Sequence, residues 1–176
     1  TCEMMRAHAA GFLDQPLPLL ALSAATALID STLPEREPVP QLYGTFDALI
    51  AGLDTPHWAT HYVRWELDLL GELGFGLDLT ECAATGSTED LAYVSPKSGR
   101  AVSTAAAAPY RDRLLILPAF LNTDSAADAS ITDIVDGLAL TAHFLKNHVI
   151  ADDRKSLPAV RQRLVESLGR AAAREQ

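Results

Sequence analysis

The sequence predicts a mainly α-helical fold that carries one small inserted β-hairpin. Apolar residues recur at spacings of three and four over most of the 176 residues, which is typical of amphipathic helices. Between residues 77 and 104 this periodicity gives way to short alternating stretches around a Pro/Gly turn, which is typical of short strands. The simplest architecture is one helical domain over residues 1–176 with an insertion at about 77–104.

Three helices are expected in the first half of the chain. An Ala- and Leu-rich stretch predicts a buried helix over residues 17–33, which ends at the Pro-rich segment 34–40. A second helix is expected over residues 41–53, with four apolar side chains on one face. A third should begin after Thr55, which is the predicted N-cap, and end at Leu73 before two glycines.

The hairpin has the outline of a zinc ribbon, in which two pairs of ligands meet at one metal ion. The four positions at ligand spacing are Cys82, Thr85, Ser103 and Ala106. Zinc needs about four N, S or O ligands, and three of these residues offer neither a thiolate nor an imidazole. We therefore expect a ribbon-like hairpin that has lost its metal ligands and holds no metal. The alternative is that Cys82 is only a small buried apolar residue.

Helical structure is expected to resume after the hairpin. Residues 109–121 predict a short helix broken by Pro118, and residues 122–130 predict a polar loop. A long helix should then begin at Thr132 or Asp133. This late helix is apolar nearly all round, so it is either central in the core or offers a face to a partner. A last helix should pack through one stripe, which consists of Leu157, Val160, Leu164 and Leu168.

Composition limits the classes of function. The chain has 23 acidic and 14 basic residues, and its net charge of -9 opposes unspecific attraction to nucleic-acid phosphates. No basic stripe is interleaved with aromatic residues in the sequence, so single-stranded nucleic acid should bind the chain alone only weakly. Two cysteines cannot form a disulfide framework, which favours a reducing cytoplasm. No apolar run is long enough to cross a bilayer, and we expect no signal peptide.

Several short motifs follow one another in a specific order between about Gln41 and Leu168. They are Tyr43–Ile50, Arg64–Leu70, the Leu-Gly-Phe-Gly-Leu-Asp-Leu turn, Cys82–Gly86, Tyr93–Pro96 and His143–Leu145. Together they resemble the C-terminal region of the RecO family of bacterial recombination mediators, of which only some members have the zinc ligands. In that family an N-terminal OB-fold domain precedes the helical part, and no such domain is recognisable in this chain. Because the sequence begins at Thr1 without Met, we expect a fragment or a processed form of a longer protein.

The resemblance implies a non-enzymatic mediator of bacterial recombinational DNA repair. The full protein would anneal single-stranded DNA, bind the acidic tail of single-stranded-DNA-binding protein, associate with RecR and help to load RecA. DNA would bind mainly through the missing N-terminal domain. The resemblance implies no cofactor and no membrane contact, and it implies a cytoplasmic protein that is associated with the nucleoid during repair.

Cations concentrate near the C-terminus, where seven of the fourteen Lys and Arg residues follow Leu145. An acidic tail with an apolar end would suit a site that joins such cations to an exposed Leu or Phe surface. The candidate partner-binding residues are Phe144, Lys146, His148, Arg154, Lys155, Arg161 and Arg163. The alternative is that these cations lie on an ordinary solvated helix face and bind no partner.

No catalytic residues are expected. His57 and His61 stand at the spacing that can place two imidazoles on one metal, so the alternative function is a small helical metal-dependent enzyme. A further alternative is a purely structural domain. Glu66 lies among apolar residues and is expected to form a structural ion pair with a nearby arginine. The candidate partners for that pair are Arg64, Arg111 and Arg113.

Overall fold

The computed structural model describes residues 11–33, 39–123, 129–150 and 156–174. Its helices are α1 (Pro16–Thr32), α2 (Pro40–Gly52), α3 (Trp58–Glu72), α4 (Thr104–Ala107), α5 (Ile131–Phe144) and α6 (Ala159–Ala172). Its strands are β1 (Leu91–Val94), β2 (Ala101–Ser103) and β3 (Leu115–Ile116). The prediction of a mainly helical fold with a small β-insertion is confirmed. Among the described residues, no helix is both long and apolar enough to cross a membrane.

Helices α3 and α5 lie at the centre of the fold. Helix α3 packs against α1, α2 and α5, while α6 packs against both α1 and α5. Leu138 and Leu140, which are two residues apart and so lie on opposite sides of α5, are both buried, as is Phe144. The late helix is therefore central in the core, which was one of the two predicted possibilities. Large side chains that are fully buried there include Trp65, Tyr62, Leu28, Leu69, Leu138, Leu145 and Leu164.

Two predicted helix starts are wrong. The N-cap of α3 is His57 rather than Thr55, whose hydroxyl instead donates to the Gly52 carbonyl at 2.7 Å and closes the turn after α2. Helix α5 begins before the predicted Thr132 or Asp133, because Ser130 and Asp133 form a reciprocal capping box. Ser130 Oγ accepts the Asp133 backbone N–H at 3.1 Å, and the Asp133 carboxylate accepts the Ser130 backbone N–H at 2.9 Å.

The three strands form an antiparallel sheet in the order β2-β1-β3. Val94 lies opposite Ala101 on one side and Leu115 on the other. Val94 and Ala101 are buried, and Leu115 is half-buried. The predicted short helix over residues 109–121 is wrong, because its centre is strand β3, flanked by 3₁₀ turns at Arg111–Arg113 and Ala119–Leu121. Residues 115 and 116 are extended because they pair with β1. A strand of two residues is too short to show a periodic pattern in the sequence.

An extended segment joins α3 to the sheet. The Asp78 backbone N–H donates to the Gly99 carbonyl at 3.1 Å, and the Asp78 carbonyl accepts from Ala101 at 2.8 Å. Leu77 and Leu79 on either side pack against the main core. The predicted Pro-rich linker and polar loop fall largely on residues 34–38 and 124–128, which lie outside the described residues.

Candidate functional site

Two of the predicted partner-binding residues, Phe144 and His148, line one pocket on the protein surface. We call it the turn pocket, since it lies between the turn after α3, the β1–β2 turn and the end of α5. Its volume is about 200 Å³, and its other lining residues are Gly74, Phe75, Gly76, Leu77, Lys97, Ser98 and Gly99. Three segments that are distant in the sequence therefore meet at one site.

Aromatic rings form one wall of the turn pocket. The imidazole of His148 stacks with the Phe75 ring at 5.5 Å and with the Phe144 ring at 5.7 Å between centroids. Phe75 is 38% exposed, whereas Phe144 is 3% exposed and reaches the pocket only as part of its floor. His148 lies in the π-helical turn Leu145–Val149 that extends α5, a type of turn that is frequent at functional sites.

A glycine lets the hairpin approach the helix at this site. Gly99 has a φ of +68°, which side-chain-bearing residues rarely adopt. A Cβ atom at Gly99 would lie 3.0 Å from Leu77 Cδ2 and 3.6 Å from Phe144 Cε1. The hairpin turn is therefore held against the pocket floor in a way that a larger residue would disturb.

One cation, Lys97, lies beside the apolar wall. Lys97 lines the pocket, Lys146 is exposed on the π-helical turn, and neither forms an ion pair with a carboxylate in the part of the chain that the structure describes. The side chain of His143 is held near the hairpin, with Nε2 3.2 Å from the Pro96 carbonyl oxygen. An apolar depression beside an unpaired ammonium group can hold an apolar group that carries a negative charge.

Phe75 and Lys97 were missed by the sequence analysis. Phe75 stands alone between two glycines, and Lys97 lies in the hairpin turn, so neither belongs to an apolar or basic cluster in the sequence. The one available signal was the position of Phe75 in a glycine turn, where a large apolar side chain has few core residues to pack against. Arg163 is exposed on α6, while Arg154 and Lys155 lie outside the described residues.

Arg161 is not part of an exposed basic surface, contrary to the prediction. Its side chain is 2% exposed and pairs with Glu66, which is 0% exposed. Arg161 Nε and Nη2 donate to the two Glu66 carboxylate oxygens at 2.7 Å each, and Nη2 also donates to the Leu138 carbonyl at 3.0 Å. The Thr141 hydroxyl donates to the same carboxylate. Burial opposes the charged guanidinium, but the Glu66 carboxylate outweighs it and raises the pKa of Arg161.

The expected structural ion pair of Glu66 therefore exists, but its expected partners are wrong. Arg64 instead donates to the backbone carbonyls of Phe120 and Thr123, at 2.7 and 2.6 Å. Arg111 and Arg113 are exposed at the surface beyond β1. The reason is tertiary, because α6 packs over α5 and brings a residue from the end of the chain to α3.

The four ribbon positions lie around one sulfur atom. Cys82 is buried, and its Sγ accepts hydrogen bonds from the Ser103 backbone N–H at 3.3 Å and the Ser103 hydroxyl at 3.4 Å. Burial alone raises the pKa of the Cys82 thiol, but hydrogen bonds from Ser103, then from Thr85, lower it from 9.0 to about 6. Ala106 packs against the same small cluster, which contains Cys82 and Val102.

The alternative metal site has no third ligand within the described ranges, where no three His, Cys, Asp or Glu side chains come together. His57 is exposed, whereas the His61 ring packs so closely on α2 that a Cβ at Gly52 would lie 2.6 Å from its Cγ. Burial, then the positive charge of Arg64 and of His57, lowers the pKa of His61. The arrangement is that of two helix-surface imidazoles, of which one packs on a neighbouring helix.

Comparison with known proteins assigns the chain to a family. Residues 14–158 match the family model for the C-terminal region of recombination protein O. A DNA repair protein RecO from Rhodospirillum centenum is 55% identical over 93% of this chain and 66% of its own length. The RecO proteins of Rhodospirillum rubrum and Jannaschia sp. are 48% and 45% identical, over 97% and 99% of this chain and 70% of their own lengths. No solved structure gives a significant match. The chain spans roughly two thirds of the length of these relatives and belongs to the RecO family of DNA repair proteins.

Proposed function

We propose that this chain is the protein-interaction module of a non-enzymatic recombination mediator, and that its turn pocket binds an acidic peptide with an apolar, free C-terminal residue. The tail of single-stranded-DNA-binding protein is the partner that this chemistry fits. In the full protein the module would support annealing of single-stranded DNA, association with RecR and loading of RecA. The observation that carries the proposal is the meeting of two phenyl rings and a lysine in one depression of about 200 Å³.

The module would be a single helical domain in which residues 77–104 are an insertion. We propose that this insertion is a ribbon whose metal ligands have been replaced, so that packing holds it. Two features support this: Ser103 donates to the Cys82 sulfur, and Val102, Ala107 and Leu91 pack around it. Hydrogen bonds and apolar contacts then take the place of metal coordination.

The two halves of the proposed ligand would meet different parts of the pocket. The terminal apolar side chain would lie against Phe75 and the edge of Phe144, where it leaves water. The free carboxylate would lie at Lys97, which is the cation that lines the pocket. Each charge-assisted contact contributes about 1.5–3 kcal/mol, and ordering the peptide offsets part of that sum. An affinity in roughly the micromolar range follows.

The experiment is fluorescence anisotropy with a labelled acidic peptide that ends in phenylalanine and a free carboxylate, titrated with the full chain. Lys97→Glu should weaken binding about tenfold and flatten its salt dependence, because one charge-assisted contact becomes repulsive. Phe75→Ala should weaken binding with little change in the salt slope, because it removes only apolar contact area. Amidation of the peptide terminus should mimic the loss of the lysine contact.

Matched controls separate the pocket from general surface effects. Tyr43→Ala removes an exposed aromatic ring on α2, and Arg170→Glu reverses an exposed charge on α6. Both should leave peptide affinity unchanged. Equal affinity in Lys97→Glu, Phe75→Ala and the unmodified chain would place the site elsewhere. Absence of binding by the unmodified chain would remove the peptide hypothesis and favour a purely structural role.

A further inference from the structure

A second exposed surface combines aromatic rings with cations on the outer side of the small sheet. We call it the Tyr–Arg surface and define it by Tyr93, Tyr110, Arg111, Arg113 and Ile116. Tyr93 on β1 lies directly opposite Ile116 on the edge strand β3. Tyr110 is 59% exposed and Ile116 is 51% exposed, so both side chains are accessible to a ligand.

The 3₁₀ turn that follows α4 brings the cations to this surface. The guanidinium carbon of Arg111 lies 5.7 Å from the centroid of the Tyr93 ring, in a cation–π contact. The backbone N–H of Arg113 donates to the Tyr110 carbonyl at 2.8 Å, so Tyr110 and Arg113 lie at the two ends of a single turn. In the linear sequence Tyr93 is far from Arg111, and only the fold brings the two side chains together.

The two arginines keep their positive charge, since a cation–π contact such as that of Arg111 with Tyr93 does not neutralise a guanidinium. Neither Arg111 nor Arg113 forms an ion pair with a carboxylate in the described segments. Arg100, in the β1–β2 hairpin, is different, since it pairs with both Asp78 and Glu81. The acidic residue between the two arginines, Asp112, is exposed and offsets only part of their charge.

We propose that the Tyr–Arg surface is a contact site for single-stranded nucleic acid within this chain. An unstacked base would lie on the open ring of Tyr110, and the two guanidinium groups would contact neighbouring phosphates. Exposed rings beside unpaired arginines are the combination that binds single strands without sequence preference, since every base has a face that can stack. The proposal rests on the proposed role in DNA repair and adds a second ligand at a separate surface.

A single strand fits this surface better than a duplex or an acidic peptide. Stacking on Tyr110 requires a base that is free of its neighbours, which a duplex does not offer without disruption. An acidic peptide could meet the arginines but would leave the exposed tyrosine ring without a planar partner. The net charge of -9 opposes the approach of any polyanion, so binding should be weak and strongly dependent on salt.

The test is anisotropy with a fluorescein-labelled oligodeoxythymidine, titrated with the full chain at low salt. Tyr110→Ala should weaken binding at least about fivefold, because it removes one stacking platform. The Arg111→Glu/Arg113→Glu variant should weaken binding more and should lower the slope of log affinity against log salt by about 1.4 or more, since two phosphate contacts are lost. Tyr43→Ala and Arg170→Glu are the matched controls and should bind as the unmodified chain does. The acidic peptide is titrated against every variant and should bind all of them equally.

The peptide titration separates the two proposals. Loss of oligonucleotide binding with retained peptide binding supports the Tyr–Arg surface, whether or not the pocket variants change the peptide affinity. Equal oligonucleotide affinity in all variants overturns it, as does a lack of binding by the unmodified chain at low salt. Loss of peptide binding in the Tyr110 and arginine variants would also overturn it, because the surface would then belong to a protein partner.

Discussion

Replacement of Arg161 by methionine tests whether the buried ion pair holds α6 on the rest of the fold. The substitution keeps most of the side-chain volume but removes all the hydrogen bonds that the guanidinium donates to Glu66, Leu138 and Thr141. Glu66, which is 0% exposed, would keep the Thr141 hydroxyl as a donor but would lose the guanidinium. A buried carboxylate would thus lose its compensating charge, and that is the dominant cost.

The expected magnitude follows from this geometry. Breaking a buried pair by removing one partner costs about 3–5 kcal/mol, and both side chains here are almost completely buried. For a chain of this size that loss lowers the melting temperature by about 6–20 °C, at roughly 2–4 °C per kcal/mol. The double variant Glu66→Leu/Arg161→Met removes both charges and should recover most of the loss, because an apolar replacement of a buried pair is often neutral.

Urea unfolding followed by circular dichroism measures these free energies, with calorimetry for the melting temperatures. Arg163→Met is the matched control, since Arg163 lies on the same helix and is exposed, and it should change stability by less than about 0.5 kcal/mol. A decrease of less than about 1 kcal/mol in the unfolding free energy of Arg161→Met would refute the reasoning, because leaving a buried charge unpaired costs more than that. A double variant as unstable as the single one would show that packing, rather than charge, dominates.

Two further predictions concern the core of α5 and the hairpin. Gly137→Ala should destabilise the chain by about 1 kcal/mol in urea unfolding, because its Cβ would lie 2.9 Å from Val63 Cγ1. Gly44→Ala, where nothing lies within 4 Å, should stabilise it by up to about 1 kcal/mol, and equal effects would contradict the steric argument. Ser103→Ala should raise the pKa of Cys82 from about 6 towards 9.0, measured by thiolate absorbance in a Cys2→Ser background. Because the folded pKa is lowered, the stability that the thiolate contributes is present above about 9.0 and is lost as pH falls through about 6, so Ser103→Ala should weaken this pH dependence.

Helix periodicity was enough to predict most of the fold. The predicted helices at residues 17–33 and 41–53 agree with α1 and α2 to within one residue at each end. These segments are long, and their apolar faces have a period that local sequence expresses directly. The edge strand β3 could not be predicted, because two residues gain an extended structure only by pairing with β1.

The candidate sites were harder to predict, for a physical reason. Apolar residues at helical spacing do not reveal which face is exposed, so Phe144 was placed on a partner surface although it is buried in the core. A cluster of cations in sequence likewise cannot show which cation is paired, and Arg161 is paired with a residue on α3. The turn pocket and the Tyr–Arg surface each join segments from different parts of the chain. These tertiary contacts leave no pattern in the sequence from which they could be predicted.

The net charge of -9 makes short-range contacts decisive for both proposed ligands. Repulsion between a negative chain and an acidic peptide or a single strand is screened beyond about 8 Å at physiological salt, so affinity must come from groups that touch the ligand. The hairpin contributes to both proposed surfaces, since Lys97 lines the turn pocket and the Tyr93 ring contacts Arg111 on the Tyr–Arg surface. Changes at the exposed residues should therefore alter binding at little cost in stability. Changes at Arg161 or Gly137 should do the reverse, because these two buried residues stabilise the helical core and touch neither ligand.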